Sequence, residues 1–201
     1  MPAIVLASAS PRRAELLGQL GVTFSVAPAD IDETPLNGES PRDYVIRMAE
    51  EKARVCFQRL GGGKTVIGSD TSVVLGDRIL GKPADPDDAR EMLRALSGRS
   101  HQVMTAVAVV KDGWADSTLV ITDVHFRVLA ADEVDAYVET GESLDKAGSY
   151  GIQGRGGVFV DRIEGSYSAV VGLPLTETAK LLQSAGFPVW QMWQGAGQGS
   201  R

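Results

Sequence analysis

The stretch HQVMTAVAVVKDGWADSTLVITDVHFRVL, residues 101–129, decides the fold class that the sequence predicts. Two long runs rich in β-branched residues lie on either side of Lys111-Asp112-Gly113, a pattern typical of a tight β-hairpin. Shorter strand candidates, such as AIVLA at 3–7 and TFSVA at 23–27, alternate with helical segments. Such alternation favours parallel pairing, whereas a hairpin is antiparallel, so we predict a mixed α/β fold.

Proline pairs mark the starts of three predicted helices. Ser10-Pro11, Ser40-Pro41 and Asp85-Pro86 each combine an N-cap residue with a proline at the first helical position. For the second helix we expect an apolar face that contains Tyr44, Met48, Val55 and Cys56. After this helix, TVIGSD and TSVVL predict strand structure with a break near Ser69-Asp70.

Composition and charge exclude several classes of protein. The 201 residues are 43% apolar and 23% charged, as in ordinary globular chains, and the net charge of -6 argues against a nucleic-acid binder. A lone cysteine, Cys56, excludes an internal disulfide and a cysteine-rich metal cluster. No apolar run approaches the roughly 18 residues of a membrane span, and the N-terminal apolar run is too short for a secretory signal. We expect a cytoplasmic protein without a membrane partner.

The predicted domain organisation is simple. Residues 1–190 are expected to form a single α/β domain, followed by a disordered Gly- and Gln-rich tail at 191–201. Trp190 and Trp193, beside that boundary, are candidates for a subunit contact.

Two glycine-rich segments resemble nucleotide-binding motifs but fail the tests for them. Gly63-Lys64-Thr65 looks like the end of a P-loop, yet Gln58 stands where the first glycine belongs, and the segment follows a helix instead of a strand. In YGIQGRGGVFV, residues 150–160, Phe159 breaks the dinucleotide fingerprint and no helix begins there. A close approach of this second segment to a ligand remains open.

Two arginines at the start of the first helix are candidates for binding an anion. Arg12 and Arg13 follow the small residues of ASAS, and cations are disfavoured at a helix N-terminus unless an anion compensates them. Both could instead lie on a solvated helix face. We favour a phosphate ligand, and we expect the pair to reduce local helix stability until that ligand binds.

Other candidate site residues lie at the ends of predicted elements. The DIDE loop at 30–33 supplies acids for a hard cation, and Asp70 in GSDT is a candidate general acid or base. Lys52 either extends past the helix core to solvent or points into a cleft, and Lys82 lies in the rigid turn Gly81-Lys82-Pro83.

Several motifs occur together in the order found in one protein family. They are SxSPRRxELL, DIDE, Arg47 with Lys52-Ala53, GSDT, GKP, LSGRSHQVMTAV, TGESLDKAGSYGIQGRGG and GSYSAVVGLPLTET. Across about residues 4–182 the chain resembles the Maf family of nucleoside triphosphate pyrophosphatases. The resemblance implies a twisted mixed sheet flanked by helices, two lobes around a deep cleft as in inosine triphosphatases, and a homodimer. GSDT and DKAGSYGIQG resemble the branch that acts on dTTP and UTP.

The resemblance also implies roles for individual residues. Asp70 would be the general base that activates water, and Glu33 and Asp70 would lie near Mg²⁺ or Mn²⁺. The triphosphate would be held by Ser8, Arg13, Lys52 and Lys82, and the base would be selected by Arg12, Thr71 and Gln153. The products would be the monophosphate and pyrophosphate, and modified pyrimidine nucleotides are further candidate substrates. Two alternatives stay open: a nucleotide-binding regulator of cell division, and a phosphatase that releases single phosphates.

Overall fold

The computed structural model describes residues 3–193, which form a sheet flanked by helices. The strands are β1 Ile4–Leu6, β2 Phe24–Val26, β3 Thr65–Leu75, β4 Arg78–Leu80, β5 Ser100–Lys111, β6 Trp114–Phe126 and β7 Val160–Glu164. The helices are α1 Pro11–Gln19, α2 Pro41–Arg59, α3 Pro86–Leu96, α4 Ala131–Glu139, α5 Tyr167–Val171, α6 Leu175–Ser184 and α7 Val189–Trp193. Short 3-10 turns occur at Ala147–Ser149 and Arg155–Phe159.

Seven strands make one mixed sheet, which confirms the predicted fold class. Their order is β2-β1-β3-β5-β6-β7, with β4 paired to β3. Strand β1 is parallel to both β2 and β3, whereas the pairs from β3 through β5 and β6 to β7 are antiparallel. The β5–β6 hairpin turns between Lys111 and Trp114, as predicted, and Gly113 takes the φ of +69° that this turn needs.

The predicted strand break near Ser69-Asp70 is wrong. Strand β3 continues through both residues, because Ser69 pairs with Val107 and Asp70 with Ala106 on β5. The Ser69 hydroxyl is satisfied inside the core, where it donates to the carbonyls of Ala106 at 2.8 Å and Gly172 at 3.1 Å. The polar pair Ser69-Asp70 therefore lies within the strand and not at its end.

The predicted helix starts are confirmed, but one residue of the predicted face of α2 is wrong. The side chains of Ser10, Ser40 and Asp85 cap α1, α2 and α3. The buried residues of α2 are Val45, Met48, Ala49, Lys52, Ala53 and Cys56. Val55 is 37% exposed, because this buried arc centres on Lys52 and Cys56 and leaves Val55 just beyond its edge.

Small residues allow α2 to pack very closely on β3. A Cβ added at Gly68 would lie 2.2 Å from the carbonyl oxygen of Ala49 and 2.7 Å from the backbone nitrogen of Ala53. Position 68 therefore accepts only glycine as long as α2 packs this closely on β3. The close approach brings Lys52 of α2 beside Asp70 of β3.

The C-terminal part differs from the prediction at the boundary of the tail. Residues 191–193, which the sequence assigns to the tail, belong to α7, and the rest of the predicted tail lies outside the described residues. Trp193 donates from Nε1 to the carbonyl of Leu20 at 2.7 Å and covers Gly21, so it packs on its own chain. No helix in the described range 3–193 is long and apolar enough to cross a membrane.

Candidate active site

A cleft of about 970 Å³ brings together most of the site residues proposed from the sequence. Its walls come from the β1–α1 connection, the loop after β2, the middle of β3, the turn after β4 and the segment around 142–154. The proposed residues that line it are Ser8, Arg12, Arg13, Glu33, Lys52, Asp70, Thr71, Lys82 and Gln153. The other two acids of the DIDE loop, Asp30 and Asp32, do not line the cleft.

Lys52 lies at the centre of the charged groups. Its Nζ is 2.7 Å from Asp70 Oδ1 and 2.7 Å from Glu33 Oε1. The side chains of Lys52 and Asp70 are only 10% and 12% exposed, whereas that of Glu33 is 58% exposed. Of the two orientations expected for Lys52, the structure shows the second: the side chain does not extend to solvent but points into the cleft, where it contacts two carboxylates.

Arg13 ties three elements together instead of projecting freely from α1. It donates from Nε to the carbonyl of Gly172 at 2.9 Å, from Nη1 to Ser8 Oγ at 3.3 Å and from Nη2 to Thr71 Oγ1 at 3.2 Å. Burial lowers the pKa of its guanidinium, although the nearby Asp70 carboxylate opposes that shift. Gly172 is the C-cap of α5, so this cation lies at the end of a helix that favours positive charge.

Arg12 and Lys82 are the cleft cations that keep their donors free. Within residues 3–193 neither makes a hydrogen bond or a salt bridge, although both line the cleft. Lys82 is exposed, and Arg12 is partly buried. An anion that enters the cleft therefore meets two positive side chains that form no ion pair with a carboxylate of the described chain.

Tyr44 is a site residue that the sequence interpretation missed. Its hydroxyl donates to the backbone carbonyl of Glu33 at 2.9 Å and so holds the loop that carries this carboxylate. Burial, reinforced by Asp70 and Glu33, raises the pKa of Tyr44 to about 12, so the phenol stays protonated. The helical pattern predicts only an apolar-face role for Tyr44, and nothing in its spacing signals the loop contact.

The segment 142–154 supplies further cleft residues that the sequence interpretation missed. Glu142, Asp145 and Lys146 line the wall that also carries Gln153. Lys146 Nζ lies 2.6 Å from Asp145 Oδ1 and 3.0 Å from the backbone carbonyl of Glu142. The polar run TGESLDK in a loop was the available signal.

The two carboxylates suit a hard divalent cation that takes its other ligands from outside the protein. Glu33 and Asp70 already converge on one cationic atom, Lys52 Nζ, at equal distances of 2.7 Å. Across the described residues no group of three or more His, Cys, Asp or Glu side chains is arranged to hold a metal. Mg²⁺ is commonly bound by one or two carboxylates together with phosphate oxygens and water, so this pair fits that mode.

Comparison with known proteins identifies the family. The model of the family described as "Maf-like protein" matches residues 3–185. The chain belongs to the Maf family. The resemblance inferred from the motifs is thereby confirmed over nearly the whole described part of this Maf protein.

Relatives of this Maf protein match it along most of their own length. A dTTP/UTP pyrophosphatase of Anaeromyxobacter dehalogenans is 56% identical over 195 residues, covering 94% of this chain and 98% of the relative. A dTTP/UTP pyrophosphatase of Alcanivorax borkumensis is 55% identical over 190 residues, with the same coverage. A solved HAM1 protein from Coxiella burnetii shares the fold, with a TM-score of 0.51, 19% identity and coverage of 92% of this chain and 100% of that one.

Proposed function

We propose that this Maf protein hydrolyses dTTP and UTP to the nucleoside monophosphate and pyrophosphate. The observation that carries the proposal is the position of Asp70, which lies in the cleft beside Lys52. The same cleft is lined by the cations Arg12 and Lys82, which form no ion pair within residues 3–193. Hydrolysis of a polyphosphate needs such a combination, because negative charge accumulates on phosphate oxygens while water is deprotonated. The names of the relatives supply the choice of nucleotides.

The triphosphate is assigned to the cationic side of the cleft. Lys82 and Arg12 offer donors that no residue in the described range uses, and within that range Arg13 uses three of its five N–H groups and retains two. Ser8, held by Arg13, adds a hydroxyl. Lys52 completes the set, and its bonds to Asp70 and Glu33 fix its direction.

Asp70 is assigned the role of general base. In the proposed reaction a water oxygen forms a bond to the α-phosphorus while the bond from this phosphorus to the bridging oxygen breaks. The proton of water passes to the Asp70 carboxylate, and the electron pair of the broken bond leaves with pyrophosphate. Lys52 holds one Asp70 oxygen at 2.7 Å, which aims the carboxylate and leaves its second oxygen to accept the proton.

Glu33 and Asp70 would hold the divalent metal, Mg²⁺ or Mn²⁺, which supplies positive charge to the phosphate oxygens when it is bound. Lys52, whose Nζ contacts both carboxylates, would share them with the metal.

Base selection is assigned to Arg12, Thr71 and Gln153. Gln153 is exposed on the cleft wall, and its amide both donates and accepts hydrogen bonds, as the edge of a pyrimidine requires. The Thr71 hydroxyl already contacts Arg13 and Thr105, at 3.2 and 3.1 Å, so Thr71 acts by shaping the floor beneath the base.

The test is a hydrolysis assay in ¹⁸O-labelled water with UTP, dTTP, CTP and GTP and either Mg²⁺ or Mn²⁺. We expect pyrophosphate and a monophosphate that carries the label, since water attacks the α-phosphorus. Asp70→Asn should abolish turnover and leave the fold intact by circular dichroism, because the amide cannot accept the proton.

Three outcomes would contradict the proposal. Release of orthophosphate would identify a phosphatase. Label in pyrophosphate would show that water attacks the β-phosphorus. If no nucleotide gave any product, the nucleotide-binding regulator of cell division would be the remaining alternative. Full activity of Asp70→Asn would remove Asp70 from the mechanism.

The cytoplasmic location and the homodimer are part of the same proposal. The free, buried thiol of Cys56 supports the cytoplasmic location, because the sequence has no second cysteine with which it could form a disulfide. Light scattering of the purified protein tests the second.

A further inference from the structure

The loop that carries Gln153 is rich in glycine, and Ile152 is its side chain that packs against the hydrophobic core. Four of the seven residues in 151–157 are glycine, and the loop contains two backbone turn bonds, from Gly154 to Gly151 and from Gly157 to Gly154, both 3.1 Å. Glycine loses more conformational freedom on ordering than any other residue. A loop of this composition needs outside contacts if Gln153 is to present its amide in one direction.

Glu142 supplies these contacts from beneath the loop. Its Oε2 accepts from the backbone N–H of Arg155 at 3.0 Å, and its Oε1 accepts from that of Gly156 at 3.2 Å. Burial would raise the pKa of Glu142, but these two N–H donors, the Tyr137 hydroxyl and the charge of Lys146 together outweigh burial and lower the pKa, so the carboxylate is ionised. Bonds from N–H groups to an ionised carboxylate are among the stronger hydrogen bonds in proteins.

The fit between this carboxylate and the loop leaves no room for a side chain. A Cβ at Gly154 would lie 2.3 Å from Glu142 Oε1 and 2.7 Å from Oε2. Gly154 follows Gln153 directly, so the loop rests on the carboxylate immediately beside the residue assigned to the base.

Tyr137 fixes the carboxylate in turn. The phenol donates to Glu142 Oε1 at 3.0 Å and accepts from the backbone N–H of Gly151 at 3.3 Å, the first residue of the loop. Tyr137 is 5% exposed and packs edge-on against Phe159, with ring centroids 4.9 Å apart. The loop is therefore joined at both ends to one rigid pair of side chains.

We propose that Glu142 and Tyr137 are positioning residues that set nucleobase selectivity by holding loop 151–157 so that Gln153 faces the base. The proposal rests on the proposed function, because it takes the cleft to bind a pyrimidine nucleotide. Glu142 acts through the loop, since three donors already occupy its oxygens. Loss of the carboxylate then affects the choice of base and spares the cleavage of the triphosphate.

The test compares the binding of two uncleavable nucleotides, α,β-methylene-UTP and α,β-methylene-CTP, by calorimetry. Because the experiment measures binding, its result does not depend on whether the protein hydrolyses nucleotides. For Glu142→Gln we expect the UTP analogue to bind about tenfold more weakly, the scale of one lost charged hydrogen bond, while the CTP analogue changes little. Where UTP is hydrolysed, its turnover rate should stay within about threefold of the wild type.

Three further variants separate positioning from folding. Glu139→Gln changes an exposed glutamate at the end of α4, the helix that carries Tyr137, and should alter neither affinity. Tyr137→Phe keeps the ring on Phe159 and should cause a smaller loss in the same direction, which provides a second test if Glu142→Gln fails to fold. In a Gln153→Ala background, Glu142→Gln should cause no further loss of selectivity, because both changes remove the same contact.

Hydrogen exchange supplies a direct readout of the loop. The amides of Arg155 and Gly156 should exchange faster in Glu142→Gln. An unchanged ratio of the two affinities with a loosened loop would overturn the proposal, and so would an equal loss for both analogues. If the turnover of every nucleotide instead fell by about 100-fold, Glu142 would be part of the reaction and not a positioning residue.

Discussion

At the scale of the residue, Lys52 shows what a helical pattern leaves open. Its position on the buried face of α2 was readable from the sequence, but helix geometry does not say whether a long flexible side chain continues to solvent or turns into a cleft. The two carboxylates at 2.7 Å decide this, and they come from 19 residues before it and 18 after it in the chain. Contacts of that kind depend on tertiary packing, which sequence patterns do not encode directly.

Replacement of Lys52 by methionine tests its role as the cation between Glu33 and Asp70. Lys52→Met leaves two carboxylates facing each other without a counter-charge, so we expect Mn²⁺ to bind the nucleotide-free protein about tenfold more tightly by calorimetry. UTP hydrolysis should fall by about 100-fold, because the triphosphate loses a cation. Lys180→Met, on the exposed face of α6, is the control and should change neither quantity. Unaltered Mn²⁺ binding would show that Lys52 does not screen the pair.

At the scale of the element, Arg13 explains the unusual start of α1. The motif predicted an arginine pair beside a helix N-terminus, and an anion was expected to compensate both charges. The structure separates the two. Arg12 lines the cleft and makes no hydrogen bond with the described part of the chain, whereas Arg13 reaches the C-terminal end of α5, 159 residues away in the sequence. Helix α5 itself was missed, as were β4, β7 and α7. These are elements of three to five residues, whose short patterns carry little periodicity.

The two arginines should therefore respond differently to the same substitution. Arg13→Lys removes a planar group that serves three acceptors, so we expect the free energy of unfolding in urea to fall by about 1–3 kcal/mol. Arg12→Lys should leave stability within about 0.5 kcal/mol, since Arg12 makes no hydrogen bond in the described part of the chain, and should raise KM instead. Equal effects of both variants on stability would contradict this division of roles.

At the scale of the whole molecule, the hairpin that predicted the fold class also supports the cleft wall. His101 of β5 donates or accepts a 2.8 Å hydrogen bond with the hydroxyl of Tyr150, and its ring packs edge-on against Phe126 of β6. Tyr150 directly precedes loop 151–157, which carries Gln153, and lies in the same buried cluster as Tyr137 and Phe159. Hydrophobic patterning predicted that such a core exists. Which aromatic rings meet, and which polar atoms they enclose, depends on packing between distant segments.

Protonation of His101 should link the stability of the whole molecule to pH. Burial, and secondarily the charge of His125, lowers the pKa of His101 to about 4, against 6.5 for the free side chain, while Asp123 opposes the shift. Below pH 6.5 His101 is protonated in the unfolded chain but stays neutral in the folded protein. The contribution of His101 to the free energy of unfolding is therefore complete above pH 6.5 and is lost as the pH falls toward 4. Between about pH 7.5 and pH 5 this amounts to about 2 kcal/mol, measurable by urea unfolding. His101→Gln, which retains a partner for Tyr150, should lose less stability over that range than the wild type, whereas parallel pH profiles would assign the loss to other groups.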